Sequence, residues 1–134
     1  MASAARIVWR QRRGSAIRVL IALEEDYRAY RGVIAAAIRV LRPHAKAEPV
    51  ELDALAEEME RCVPQLVICS RPNRLNPGGM LAWVELSVDH SRPTKVCTGG
   101  HYREYTRPLA LETLLEIVDE VEEFARTQGD RTGC

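Results

Sequence analysis

The stretch Ile17-Arg18-Val19-Leu20-Ile21-Ala22-Leu23, followed at once by Glu24-Glu25-Asp26, decides how the rest of the chain is read. Both parities of the run are apolar, so an extended segment would be covered on both faces, as in a central parallel strand. The acids then stop it abruptly. Downstream, Tyr27, Tyr30, Ile34, Ala37, Ile38 and Leu41 recur at helical spacing, with acids in the first turn, where the helix dipole favours them. Pro43 ends that helix. Ala45 to Leu52 alternates weakly and predicts an edge strand, short or bulged because of Pro49. Asp53 is placed to cap a second helix carrying Leu55, Ala56, Met59 and Cys62 on one face. Val63-Pro64-Gln65 turns the chain into Leu66-Val67-Ile68-Cys69, again apolar on both parities. Strand, helix, strand, helix, strand is the order that builds right-handed βαβ units in a parallel sheet.

The second half reads differently. Arg71 to Gly79 is loop by composition. Ala82, Val84, Leu86 and Val88 alternate with Trp83, Glu85 and Ser87, the pattern of a half-buried strand. A turn at Asp89 to Pro93 leads to a second strand, Thr94 to Thr98, and so short a connection predicts an antiparallel hairpin. Gly99-Gly100 is expected to open a polar loop to Arg107-Pro108. A last helix places Leu111, Leu114, Leu115, Val118, Val121 and Ala125 on one face, with Glu112, Glu116, Asp119, Glu122 and Glu123 outside it.

Working outward to the whole chain, 134 residues make a single domain large enough to bury its own core, with 1–15 a flexible or edge-strand arm and 127–134 a frayed tail. Nineteen Lys+Arg balance nineteen Asp+Glu, so bulk charge selects no polyanionic partner. The arginines Arg6, Arg10, Arg12, Arg13 and Arg18 come without a recognition motif or interleaved aromatics, and nucleic acid is not an expected partner. No run approaches the roughly 18 apolar residues of a membrane helix, and no apolar segment backs the N-terminal arginines as in a signal peptide. Cys62, Cys69, Cys97 and Cys134 show no metal spacing, and a reduced, cytoplasmic protein is the simplest expectation.

Arg18 to Asp26, the helix Tyr27 to Leu41, and Pro64-Gln-Leu-Val-Ile-Cys-Ser-Arg-Pro72 resemble, in order and spacing, the first strand, first helix and third strand of a response-regulator receiver domain. The resemblance covers residues 17 to 72. It implies a flavodoxin-like, three-layer α/β sandwich, here with parallel strands in the first half and an antiparallel hairpin in the second. In that family, acids at the end of the first strand hold Mg²⁺ beside a phosphorylated aspartate on the third. Glu24 and Glu25 stand nearest to the metal-binding acids, and Ser70 stands where the phosphoacceptor belongs. A serine hydroxyl is not ionised near neutral pH and cannot accept phosphate from phosphohistidine as a carboxylate does. Losing one carboxylate leaves at most weak Mg²⁺ binding at Glu24 and Glu25. Lys95 falls at the start of its strand, where the family has its lysine at the end. Thr98 loosely resembles the family's switch hydroxyl.

In doubly wound sheets ligands bind outside the carboxyl ends of the strands. Glu24, Glu25, Asp26, Ser70 and Arg71, with Thr98 and Gly99, are expected to meet there as a degenerate receiver pocket in which Arg71 neutralises the acids. Thr98-Gly99-Gly100-His101 lacks phosphate-loop spacing and reads as a turn. Cys69, Cys97 and His101 lack a fourth zinc ligand and read as structural. The expected function is a non-catalytic, phosphorylation-independent signalling or protein-interaction module of pseudo-receiver type. The rival is a small-ligand or metal-binding protein, or a small enzyme, using the acidic cleft. Surplus apolar width on the last helix (Ile117, Val121, Phe124) together with Trp83 predicts a homodimer or a protein partner.

Overall fold

A computed structural model describes residues 17–72, 82–88, 92–106 and 109–128. The expected N-terminal arm 1–15, the loop 73–81 and residues 89–91 of the turn after Val88 lie outside these residues. The fold is α/β with a mixed six-stranded sheet in the order β2-β1-β3-β4-β5-β6. The strands are β1 (Ile17–Ala22), β2 (Ala45–Pro49), β3 (Leu66–Cys69), β4 (Ala82–Glu85), β5 (Thr94–Thr98) and β6 (His101–Tyr105). The helices are α1 (Arg28–Leu41), α2 (Leu55–Cys62) and α3 (Leu111–Gln128).

The parallel half follows directly from the apolar runs. β1 is flanked by β2 and β3, both parallel to it, and is buried at every position except Arg18. β2 is the edge strand, and Pro49 is tolerated there because its missing N–H belongs to the far end of a strand with one neighbour. The chain steps from β1 to β2 in one direction and back across β1 to β3 in the other. Right-handed crossovers therefore put the two connecting helices on opposite faces. Ile34, Ala35 and Ile38 of α1 join Val19, Ile21 and Ile68 in the larger core, which α3 completes with Leu114, Leu115, Ile117, Val118 and Val121. On the opposite face Leu55 and Met59 of α2 cover Leu20, Ala22, Val67, Cys69 and Trp83. Three layers result.

Several local expectations change. The face of α1 is rotated, so that Tyr30 and Leu41 are exposed and Ala35 is buried. Asp53 makes no capping hydrogen bond; it sits in a 3₁₀ turn, Leu52–Ala54, ahead of α2. Ala56 points away from the core, while α2 ends at Val63 in the left-handed region with φ 47°. Glu122 of α3, expected outside, is 9% exposed and hydrogen-bonds to His44 Nε2 at 2.8 Å. Residues 127 and 128, expected as frayed tail, continue the helix.

The antiparallel hairpin β4–β5 is as expected, with Trp83 opposite Cys97 and Val84 opposite Val96. The polar loop expected after Gly100 is instead β6, antiparallel to β5. Gly99 (φ 55°) and Gly100 (φ 85°) both take positive φ, which suits the tight turn of a two-residue hairpin. Apolar alternation failed to announce β6 because an edge strand reading His-Tyr-Arg-Glu-Tyr has little apolar surface to alternate. Cys62 and Cys69 carry free thiols, whereas Cys97 is disulfide-bonded, which corrects the fully reduced reading.

Candidate functional site

The reversal of strand order lies between β1 and β3, and the residues leaving their carboxyl ends are Leu23-Glu24 and Ser70-Arg71. The backbone fixes both exits: Ser70 N–H donates to the Ala22 carbonyl at 3.2 Å, and Leu86 N–H to the Cys69 carbonyl at 2.7 Å. Arg71 is held on both sides of its own peptide units. Its N–H donates to Cys69 Sγ at 3.4 Å, and its carbonyl accepts from Trp83 Nε1 at 2.8 Å. From that anchored backbone its guanidinium donates to Glu24, Nε to Oε2 at 3.0 Å and Nη2 to Oε1 at 3.4 Å. Ser70 Oγ donates to the same Oε2 at 3.4 Å.

The ion pair sets the electrostatics. Arg71 beside Glu24 is the main cause holding that carboxyl below its ordinary value of 4.5, against a smaller desolvation effect; the Ser70 hydroxyl adds to the lowering. The same contact raises Arg71 further, and burial pushes the Cys69 thiol up, so it stays protonated and inert. A lowered carboxyl stabilises the fold above its unfolded value, and that stabilisation is lost as pH falls through the folded value. Glu24 and Arg71 are 43% and 61% exposed, so solvent screening keeps the effect small. Arg71→Ala should return the Glu24 titration toward 4.5 and shift the acid limb of unfolding accordingly. A ¹³C carboxyl NMR titration that stays put would show that the pair does not form in solution.

The remaining expected site residues divide. Glu25 and Asp26 lie on an exposed 3₁₀ turn next to Glu24, and Glu25 pairs with Arg28 rather than entering the cleft. Thr98 and Gly99 are not in the cleft at all. Because β5 runs antiparallel, Thr98 is opposite Ala82, itself opposite Leu66, at the amino ends of β3 and β4. There Thr98 Oγ1 accepts from Arg103 Nη2 at 3.2 Å, and Arg103 also donates to Glu120 at 2.7 Å. The same reversal brings Lys95 to the carboxyl end, in a cross-strand row Cys69–Glu85–Lys95–Glu104. That position was legible only once the direction of β5 was combined with its register.

The surface expected on the last helix is used inside the chain. Ile117, Val121 and Trp83 are buried in the two cores, and Phe124 is half-buried against Gly99. Exposed apolar surface lies instead on α1: Tyr30 (54% exposed), Val33 (64%) and Val40 (74%). The heptad spacing Tyr30-Val33-Ala37-Val40 was the signal that could have found it. No helix among the described residues is long and apolar enough to cross a membrane. No family model matches the chain, and neither a curated protein nor a solved structure shows significant similarity to it.

Proposed function

We propose that the chain is a phosphorylation-independent interaction module of pseudo-receiver type, which signals by presenting a surface and not by turnover. The observation that carries this reading is the closed state of the cleft: both Glu24 oxygens are engaged by Arg71, and Oε2 also by the Ser70 hydroxyl. A receiver-like pocket needs free carboxylates to hold a cation beside an acidic phosphoacceptor. Here the first-strand acid is neutralised in-chain, and a neutral hydroxyl replaces the acceptor.

The surface presented is the α1 stripe, and its occupant is a second copy of this chain. Tyr30, Val33, Ala37 and Val40 occupy alternating three- and four-residue steps, the seam along which two helices interlock. One self-complementary seam closes about a twofold axis. Arg28 pairs with Glu25 and Arg42 with Asp119 within the chain, so these cations at the two ends of α1 are already matched.

Two measurements test the reading. Beryllofluoride with Mg²⁺ should leave the amide NMR spectrum unchanged, and shifts centred on Glu24 and Ser70 would overturn the phosphorylation-independent part. Light scattering at about 100 μM should give a dimer mass, since exposed-surface dimers commonly associate at micromolar strength, and Val33→Asp with Val40→Asp should return a folded monomer. A monomer from the unaltered chain at that concentration would remove the self-pairing surface.

A further inference from the structure

A second feature of the same sheet end is unused by that reading. On the α2 face, beside the Glu24–Arg71 pair, lies a cavity of about 590 Å³. Cys69 and Trp83 line it from the sheet, Leu52 and Leu55 from the turn and helix beyond β2, and Asp53 and Arg71 bring opposite charges to it. Its volume is that of small-molecule sites, and its place, outside the carboxyl end of β3 at the reversal of strand order, is where open α/β sheets bind ligands.

The lining is pre-arranged. Trp83 is 4% exposed, and its indole is fixed by the 2.8 Å hydrogen bond from Nε1 to the Arg71 carbonyl, so an apolar ligand meets a wall that need not be ordered on binding. The Arg71 guanidinium is likewise held, with Glu24 taking its Nε and Nη2. An apolar interior with the Asp53 carboxylate on one side and the Glu24–Arg71 pair, its Nη1 turned to neither Glu24 oxygen, on the other matches a ligand that carries both charges on an apolar body.

We infer that this cavity binds a small zwitterion of the class of the larger apolar α-amino acids. The ligand's ammonium faces Asp53, its carboxylate faces the Nη1 side of Arg71, and its side chain packs against Trp83, Leu52 and Leu55. Neither charged group alone specifies this class; the two together reject apolar amines, acids and alcohols of the same size. The site is independent of self-pairing through α1, because α1 packs on the opposite face of the sheet.

Four phenyl probes with one apolar body test it by amide NMR: phenylalanine, phenethylamine, 3-phenylpropionate and 2-phenylethanol. Phenylalanine should shift the amides of residues 52–56 and 69–71 and the Trp83 indole N–H. It should bind about tenfold more tightly than any other probe, the value of one further charge-assisted hydrogen bond. Asp53→Asn, an exposed change, should bring phenylalanine down to the affinity of 3-phenylpropionate. Ala56→Trp, also at an exposed lining position, should occlude the cavity and remove the shifts while the thermal midpoint holds. No shifts at these residues up to about 10 mM, weaker than any useful affinity, would overturn the inference. Equal binding of the four probes, or phenylalanine binding unaltered by Asp53→Asn, would overturn it as well. The light-scattering mass is expected to be the same with and without the probe, which separates failure here from failure of the dimer.

Discussion

Trp83→Ala is expected to lower the free energy of unfolding by about 3–5 kcal/mol, the usual cost of deleting a buried aromatic side chain. Total stability for a domain of this size is about 5–15 kcal/mol, so the variant should be marginal at room temperature. The smaller core beneath α2 has few large side chains: Leu20, Val67, Leu55 and Met59 meet around the indole. Removing it withdraws apolar area from all of them and also deletes the donor to the Arg71 carbonyl. Trp83→Phe separates the two losses. The ring keeps most of the packing but leaves the carbonyl without its indole partner, at about 1–2 kcal/mol. Urea unfolding followed by far-ultraviolet circular dichroism measures both. A loss under about 1 kcal/mol for Trp83→Ala would mean that α2 is held to the sheet by other contacts.

At the opposite end of the sheet, Gly99→Ala should cost about 2–3 kcal/mol. Part is backbone, since φ 55° is unfavourable for any residue with a Cβ by about 1 kcal/mol. The rest is steric: a Cβ there would stand 2.6 Å from Phe124 Cζ and 2.8 Å from its Cε1, well inside contact distance. The ring of α3 thus lies directly on the β5–β6 turn. Phe124→Ala is destabilising alone, but in that background Gly99→Ala should cost only its backbone part. The two changes should therefore couple by about 1–2 kcal/mol in a double-mutant cycle. Strict additivity would show that the ring moves aside freely.

How much of this was legible beforehand differs by feature. Glu24, Ser70 and Arg71 were readable as neighbours because each leaves the end of an apolar run, and parallel strands place such ends side by side. Thr98 was misplaced because a strand end was equated with a sheet end, which fails wherever the strand runs antiparallel. Lys95 is the converse case. The cavity beneath α2 had no signal in the sequence, since Leu52 and Asp53, Arg71, and Trp83 come from three separate segments.

What the amino-acid order determined by itself was local and periodic: the doubly apolar strands β1 and β3, the amphipathic helices, the hairpin after β4 and hence the α/β class. These follow from burial on one or two faces of a single element, which composition and spacing record. Tertiary structure alone decided which side of a helix or strand meets the core. α1 turns Ile34, Ala35 and Ile38 to the sheet beside Ile117, Val118 and Val121 of α3, and Tyr30, Val33 and Val40, on another side of the helix, are left outside. Likewise Trp83, on the polar parity of its strand, is buried only because α2 from the preceding crossover lies over it. Both outcomes depend on what covers a face, and an element's own residues do not specify its cover.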